Sequence, residues 1–297
     1  MHDAPPAALH WRTAQGMLHL EGPVVVGIVN VTPDSFHDGG RHATTEAAVR
    51  HAARLVEEGA GVLDVGGEST RPGAAAVDAA TEARRVVPVV RELRAAWPAI
   101  PVSIDTVKAD VAREAVAAGA AVINDVSGLR LDPAMAGVAA RTGAGLILMH
   151  SRGGVEAMAR YDLAEYGTDC VADVRDELMQ AVTHAQEAGV AGDAIVLDPG
   201  LGFAKRTAHS VAILAGLARL TDLGFPVMVG PSRKRFIREI AGGAGPDDRL
   251  PGTLAACVVA LLHGARLFRV HDVGPARQAL DLAAATLTAQ TAAAVAG

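Results

Sequence analysis

Short runs of valine, isoleucine and leucine alternate with longer alanine-rich segments along nearly the whole chain. The runs fall at residues 24–29, 62–65, 102–104, 121–123, 146–149, 195–197, 227–229 and 267–270. They are short and rich in valine and isoleucine, which suits strands covered on both faces in a parallel sheet. Between them, residues 45–58, 79–95, 107–118 and 173–188 carry the apolar spacing of helices packed on one side. Glycine within the triplets 58–60, 118–120, 142–144 and 263–265 supplies the left-handed residue that ends a helix. Regular strand–helix alternation predicts parallel strands joined by right-handed crossovers. Eight such units fit an α/β fold of the closed (β/α)8 TIM-barrel type, with a doubly wound open sheet as the alternative. The reading is one domain over 21–297, preceded by an N-terminal extension over 1–20 that has room for a short hairpin.

Polar residues gather where the predicted strands end. Asn30 to Phe36 follow the first run, Gly66 to Gly73 the second, and Asp105 the third. Asn124 and Asp125 follow the fourth, His150 the fifth, and Asp198 the sixth. Ser232, Arg233 and Lys234 follow the seventh, and Arg269, His271 and Asp272 belong to the eighth. The strand beginnings carry almost nothing polar. In barrels of this kind, groups that act on a ligand project from the C-terminal strand ends into one pocket. Alternation of side chains refines this. Arg269 and His271 share a face and Asp272 lies on the other. Asn124 and Asp125 point opposite ways, so one faces the pocket and the other caps or packs. Ser103 and Asp105 share a face, with Asp105 at the mouth. Only Lys108, Lys205 and Lys234 are lysines among 27 basic residues, and each follows a strand end, where a point-charge ammonium serves better than a planar guanidinium.

Composition narrows the classes. Half of the 297 residues are apolar and a fifth are charged, which suits a folded globular protein. A net charge of −6 gives the surface no general attraction for nucleic acid or anionic membrane, so an anionic substrate needs a local cluster of cations. Cys170 and Cys257 have no metal-type spacing and read as free buried thiols in a reducing compartment. The N-terminus has no signal-peptide pattern, and the longest apolar stretch, 254–262, is too short to span a bilayer. A cytoplasmic protein is expected. His2, His10 and His51 read as surface residues.

The segments GIVNVTPDSFHDGG, DVGGESTRPGA, VSIDTVKADVAREA, GAAVINDVSG, LMHSRG, LDPGLGFAK, GPSRKRFI, GTLAA and FRVHDV resemble, in that order, the dihydropteroate synthase family, and they span roughly 24–275. The resemblance implies condensation of 6-hydroxymethyl-7,8-dihydropterin diphosphate with p-aminobenzoate, releasing diphosphate, with Mg2+ assisting. By the same resemblance the pterin meets Asp105, Asn124, Met149, Asp198, Phe203 and Lys234. The diphosphate meets Asn30, Thr70, Arg269 and His271, with Asn30 also contacting the metal. p-Aminobenzoate sits against Thr32, Pro33, Phe36, Arg71, Pro72 and Ser232, near the helix start that follows Ser232. Asp38, or Asp34 in the same loop, is expected to steady a cationic intermediate or the amine. The catalytic set is then Asn30, Asp38, Lys234, Arg269 and His271. A homodimer is implied. Ser151 stands where the family more often has methionine, and Leu201 where phenylalanine or isoleucine is common. Two alternatives share the pterin ligands: a catalytically inactive paralogue, and a methyltetrahydrofolate-dependent methyltransferase, which has no use for the Ser-Arg-Lys and Arg-Val-His-Asp segments.

Overall fold

The valine- and isoleucine-rich runs pair side by side as one parallel sheet, because their outward faces are apolar and must be covered by helices. The computed structural model describes residues 9–31, 41–69, 76–242, 245 and 247–296. A hairpin of β1 (His10–Thr13) and β2 (Gly16–His19) comes first, followed by β3 (Val24–Asn30), α1 (Arg41–Glu57), β4 (Val62–Gly66) and α2 (Ala79–Ala96). Next are β5 (Val102–Asp105), α3 (Ala109–Ala117), β6 (Val122–Asp125), α4 (Met135–Thr142), β7 (Gly145–Met149) and α5 (Cys170–Glu187). The chain ends with β8 (Ile195–Asp198), α6 (Thr207–Ala215), α7 (Ala218–Thr221), β9 (Met228–Val229), α8 (Arg235–Ala241), α9 (Leu250–Leu262), β10 (Leu267–Val270) and α10 (Val273–Ala296).

The sheet runs β8-β7-β6-β5-β4-β3-β10-β9, every pair parallel. It closes where the Leu197 N–H donates to the Pro226 carbonyl at 2.9 Å, beside a parallel bridge from Leu197 to Val227. The result is the expected (β/α)8 barrel and not the open sheet. Helix α2 illustrates how the outer layer is attached. Asp78 caps it by accepting from the Thr81 N–H at 2.8 Å, and Val86, Val89, Val90 and Leu93 form its fully buried stripe. Burying each of those side chains is worth at most about 1.5–3 kcal/mol. Of the predicted glycine stops, Gly143 closes α4 in the left-handed region at φ 67°.

The hairpin seals the floor of the barrel. Trp11 is fully buried and donates its indole N–H to the Ala194 carbonyl at 2.9 Å, just ahead of β8. Its ring lies against Gly145, at the start of β7, where a Cβ would come within 3.0 Å. Above it lies an apolar plug of Val26, Val62, Val122, Ile147, Val196, Met228 and Leu267. With that end filled, a ligand reaches the interior only from the C-terminal ends of the strands.

Candidate active site

On five of the seven strands that contribute to the apolar plug, the next side chain two residues further along belongs to a second, pocket-facing layer. Those residues are Asp64 after Val62, Asn124 after Val122, Met149 after Ile147, Asp198 after Val196 and Arg269 after Leu267. The ladder register sets them side by side: Asp64 opposite Ser103, Asp105 opposite Asn124, and Met149 opposite Asp198. One pleat therefore separates a dry plug from a layer of charge.

Arg269 sits at the centre of that layer. Its Nε donates to Asp64 Oδ2 at 2.6 Å and its Nη2 to Asp105 Oδ2 at 2.7 Å. Asn124 Nδ2 donates to the same Asp64 oxygen at 3.1 Å. Burial works against the guanidinium charge, but Asp64 and Asp105 outweigh it and hold Arg269 above its ordinary range. Burial pushes Asp105 up to about 7, with Arg269 pulling it down and Asp64 pushing it further up. Asp198 rises to about 6, again by burial, although the Gly200 N–H, 2.7 Å from Oδ1, and the charges of Lys234 and Arg269 favour the carboxylate. Lys234 is lowered to about 7 by burial and by Arg269, against Asp198 and Asp105, and its Nζ lies 3.6 Å from the centre of the Phe203 ring. Asp105, Asn124, Met149, Asp198, Phe203 and Lys234 thus converge. Asp64 Oδ1, Asn124 Oδ1 and Ser103 Oγ are buried with no hydrogen-bond partner among the described residues. Acceptors left so are costly, about 1–3 kcal/mol each, unless a ligand supplies N–H groups.

Arg269, expected at the diphosphate, pairs inside the barrel with Asp64 and Asp105 through two of its five N–H donors. It stands one pleat below His271, level with the acids. His271 and Asn30 line a cavity of about 850 Å³ with Arg233, Asp272, His51, Arg50 and Arg54. Ser232, expected at p-aminobenzoate, bonds to His271 twice: its Oγ lies 2.9 Å from Nδ1 and accepts from the His271 N–H at 3.2 Å. Burial and the neighbouring Arg269 and Arg233 charges hold His271 down at about 3, so the ring is neutral at physiological pH. With Ser232 donating to Nδ1, the ring's Nε2–H remains a donor. Asp272 lines that cavity too and pairs with Arg233 at 2.8 Å: β10 ends at Val270, so parity does not carry Asp272 to the opposite side from His271. Asp125 turns from the pocket, accepting from the Ser127 and Leu129 N–H groups at 2.8 Å each. The helix after Ser232, α8, starts only at Arg235. Thr32, Pro33, Asp34, Phe36, Asp38, Thr70, Arg71 and Pro72 lie outside the described residues.

One surface assignment and one pattern need correction. His51 is half-buried: its Nε2–H donates to the Ile28 carbonyl at 3.1 Å and its Nδ1 accepts from Arg54 at 3.2 Å. The lysines do not share a purpose. Lys108 pairs with Glu68 at 2.8 Å and Glu82 at 2.5 Å, away from the pocket. Lys205 is fully buried against His150, and only Lys234 joins the charged layer. Asp64 was missed altogether. A lone carboxylate in phase with Val62 inside an apolar strand was its signal, masked by the Gly66–Gly73 segment that follows. Cys170 and Cys257 are free and buried, as expected.

Among the described residues no group of three or more His, Cys, Asp or Glu side chains is placed to hold a metal ion. A magnesium ion that arrives with a diphosphate asks for less, since it keeps waters and takes most of its remaining ligands from phosphate. The amide oxygen of Asn30, beside His271, is a hard donor of the right kind. No helix among the described residues is long and apolar enough to cross a membrane.

Residues 26–271 match the family model for pterin-binding enzymes. The dihydropteroate synthase of Mycobacterium leprae (strain TN) is 47% identical over 270 residues, covering 89% of this chain and 94% of that protein. The Escherichia coli (strain K12) dihydropteroate synthase is 41% identical over 281 residues, covering 93% and 96%. Among solved structures, the Xanthomonas albilineans dihydropteroate synthase with 4-aminobenzoic acid superposes with a TM-score of 0.87 at 46% identity, over 95% of this chain and 99% of that one. The same organism's enzyme in complex with 7,8-dihydropteroate gives 0.81 at 45% identity, over 91% and 96%.

Proposed function

From the premise that this chain belongs to the dihydropteroate synthase family of pterin-binding enzymes, we infer how its barrel performs that family's reaction. The protein is a transferase of folate biosynthesis: it joins 6-hydroxymethyl-7,8-dihydropterin diphosphate to p-aminobenzoate and releases diphosphate. The observation that carries the reading is the charged layer one pleat above the plug, where the buried acceptors Asp64 Oδ1 and Asn124 Oδ1 lack partners among the described residues. A pterin ring offers an amino group next to a ring N–H, and one carboxylate can accept both. Asp198 takes that role. Lys234 donates to the ring carbonyl, Asn124 and Asp105 complete the edge, and Met149 and Phe203 form the walls. Arg269 acts by holding Asp64 and Asp105 in place and by adding positive potential below the reacting methylene.

The diphosphate leaves toward Asn30 and His271. The pterin C–O bond breaks ahead of C–N bond formation, the arylamine attacks the methylene, and its proton passes to solvent. No serine, cysteine or lysine is needed as a nucleophile, so catalysis is positioning and electrostatics. His271, neutral and oriented by Ser232, donates Nε2–H to the departing oxygens. Asn30 would hold a magnesium ion that arrives with the diphosphate. Such an ion would neutralise charge that accumulates on the leaving group. Homodimerisation is part of the same reading, supported by exposed Val259 and Leu262 on α9 and Leu282 on the neighbouring α10. A cytosolic location is proposed on the buried free thiols.

Diphosphate release from the pterin diphosphate, with and without p-aminobenzoate, tests the reading. Release that depends on the amine is expected. An inactive paralogue would release none, and Asp198→Asn should weaken pterin binding about 30-fold or more, the loss of a charge-assisted acceptor worth about 2–3 kcal/mol. Near-normal pterin affinity in that variant would remove Asp198 from its role.

A further inference from the structure

Lys205 takes no part in the chemistry above, yet it is fully buried. Among the described residues its ammonium contacts no carboxylate. It donates instead to His150 Nδ1 at 2.7 Å, to the Phe203 carbonyl at 3.1 Å and to the His150 carbonyl at 3.3 Å. Its neighbours form a circuit. His150 Nε2–H donates to Glu177 Oε2 at 3.0 Å, and the same oxygen accepts from Arg152 Nε at 3.3 Å. The Arg152 guanidinium lies 4.1 Å from the centre of the Tyr166 ring, and the Tyr166 hydroxyl donates to the Ala204 carbonyl at 3.0 Å. The chain of contacts starts at Lys205 and returns to the residue before it.

The segment this circuit encloses joins Asp198 to α6 and carries Phe203. Its backbone is bent hard. Gly200 lies so close to β7 that a Cβ would come within 2.0 Å of the His150 carbonyl oxygen. Ala204, which has a side chain, is held at φ 46°. A non-glycine residue in that region costs about 1–2 kcal/mol and persists only where its surroundings fix it. Here the Phe203 carbonyl is fixed by Lys205, the Ala204 N–H by the Met158 carbonyl at 2.6 Å, and the Ala204 carbonyl by Tyr166. The product of that restraint is the position of the Phe203 ring over Lys234 Nζ.

We propose that Lys205, His150, Glu177, Arg152 and Tyr166 are positioning residues that set Phe203 over Lys234 and thereby the affinity for the pterin substrate. This rests on the reading that Phe203 and Lys234 face the pterin. The protonation states agree with the geometry. Burial and the Lys205 charge hold His150 down at about 4, so Nδ1 stays an acceptor at neutral pH. Burial alone would raise Glu177, but its bonds to His150 and Arg152 bring it to about 2. A side chain that only braced the fold would not need to converge on the two peptide units flanking the pocket's aromatic wall.

The test is steady-state kinetics on the full-length enzyme. Lys205→Met should raise KM for the pterin diphosphate about tenfold, equivalent to about 1.4 kcal/mol, and Tyr166→Phe about threefold. At saturating pterin diphosphate, kcat and KM for p-aminobenzoate should stay within about twofold, the spread left when only the first substrate's ground-state binding changes. His150→Asn, which keeps an acceptor beside Lys205 but loses the bond to Glu177, should fall between wild type and Lys205→Met, and His150→Leu should behave like Lys205→Met. If Lys205→Met does not fold, Tyr166→Phe and the part-exposed Glu177→Gln carry the test. A lowered Tm with unchanged KM for the pterin diphosphate across these variants overturns the proposal. Lys234→Met separates the two levels. Unchanged pterin affinity there sinks the reading of the site, whereas a loss there with none in Lys205→Met or Tyr166→Phe sinks the positioning role alone.

Discussion

Replacing Asp64 by asparagine keeps the shape of the layer and removes one charge from it. The carboxylate lies 2.6 Å from Arg269 Nε, so the charge centres are roughly 4 Å apart, and at an effective dielectric near 20 their attraction is about 4 kcal/mol. An amide is cheaper to bury than a carboxylate, which returns part of this. We expect Asp64→Asn to cost about 2–3 kcal/mol near pH 8, and a Tm lower by about 4–9 °C. The substitution also changes the pH dependence. Asp105 is held at about 7 in the native state, by burial first and by the Asp64 charge in part. An unfolded aspartate ionises near 3.8, so between about pH 4 and 7 the native state keeps a proton that the unfolded chain has lost. Stability therefore falls as pH rises through that window, by up to about 1.4 kcal/mol per unit for this group. Without Asp64 the Asp105 value drops and the window narrows from the top. Thermal melts from pH 4 to 8 on both proteins measure the two effects together. A variant as stable as wild type at pH 8, with the same pH slope, would show that the Asp64–Arg269–Asp105 triad does not act as one electrostatic unit.

Other outcomes test the site from different sides. The pH profile of kcat/KM for the pterin diphosphate should be a bell. Activity falls below about pH 6 as Asp198 takes a proton, and above about 7 as Lys234 loses one; a flat profile from 5 to 8 would contradict both assignments. His271→Gln should lower kcat about 10- to 100-fold with little change in pterin affinity, read by turnover beside titration with a pterin lacking the diphosphate; equal losses in both would move His271 to the pterin. Trp11→Ala should destabilise by about 3–5 kcal/mol while leaving the active fraction's kcat intact, since the indole plugs the floor and touches nothing in the charged layer.

What the sequence settled alone was local and periodic. Runs rich in valine and isoleucine and too short for helices could only be strands of a covered parallel sheet, and polar residues at one end of each fixed which mouth of the barrel is used. Strand parity separated Asn124 from Asp125, because alternation of side chains needs no knowledge of neighbours; it failed past the end of the last strand, where His271 and Asp272 line one cavity. Partners were another matter. Arg269 finds Asp64 from 205 positions away and Asp105 from 164. Closing the barrel sets their common depth, and no spacing along the chain encodes that depth. The same closure hid Asp64 in an apolar run, sent Lys108 to a pair of glutamates, buried Lys205 beside His150 and turned the N-terminal hairpin into a stopper. Each choice follows from which side chains share a layer, and layers exist only once eight strands have met.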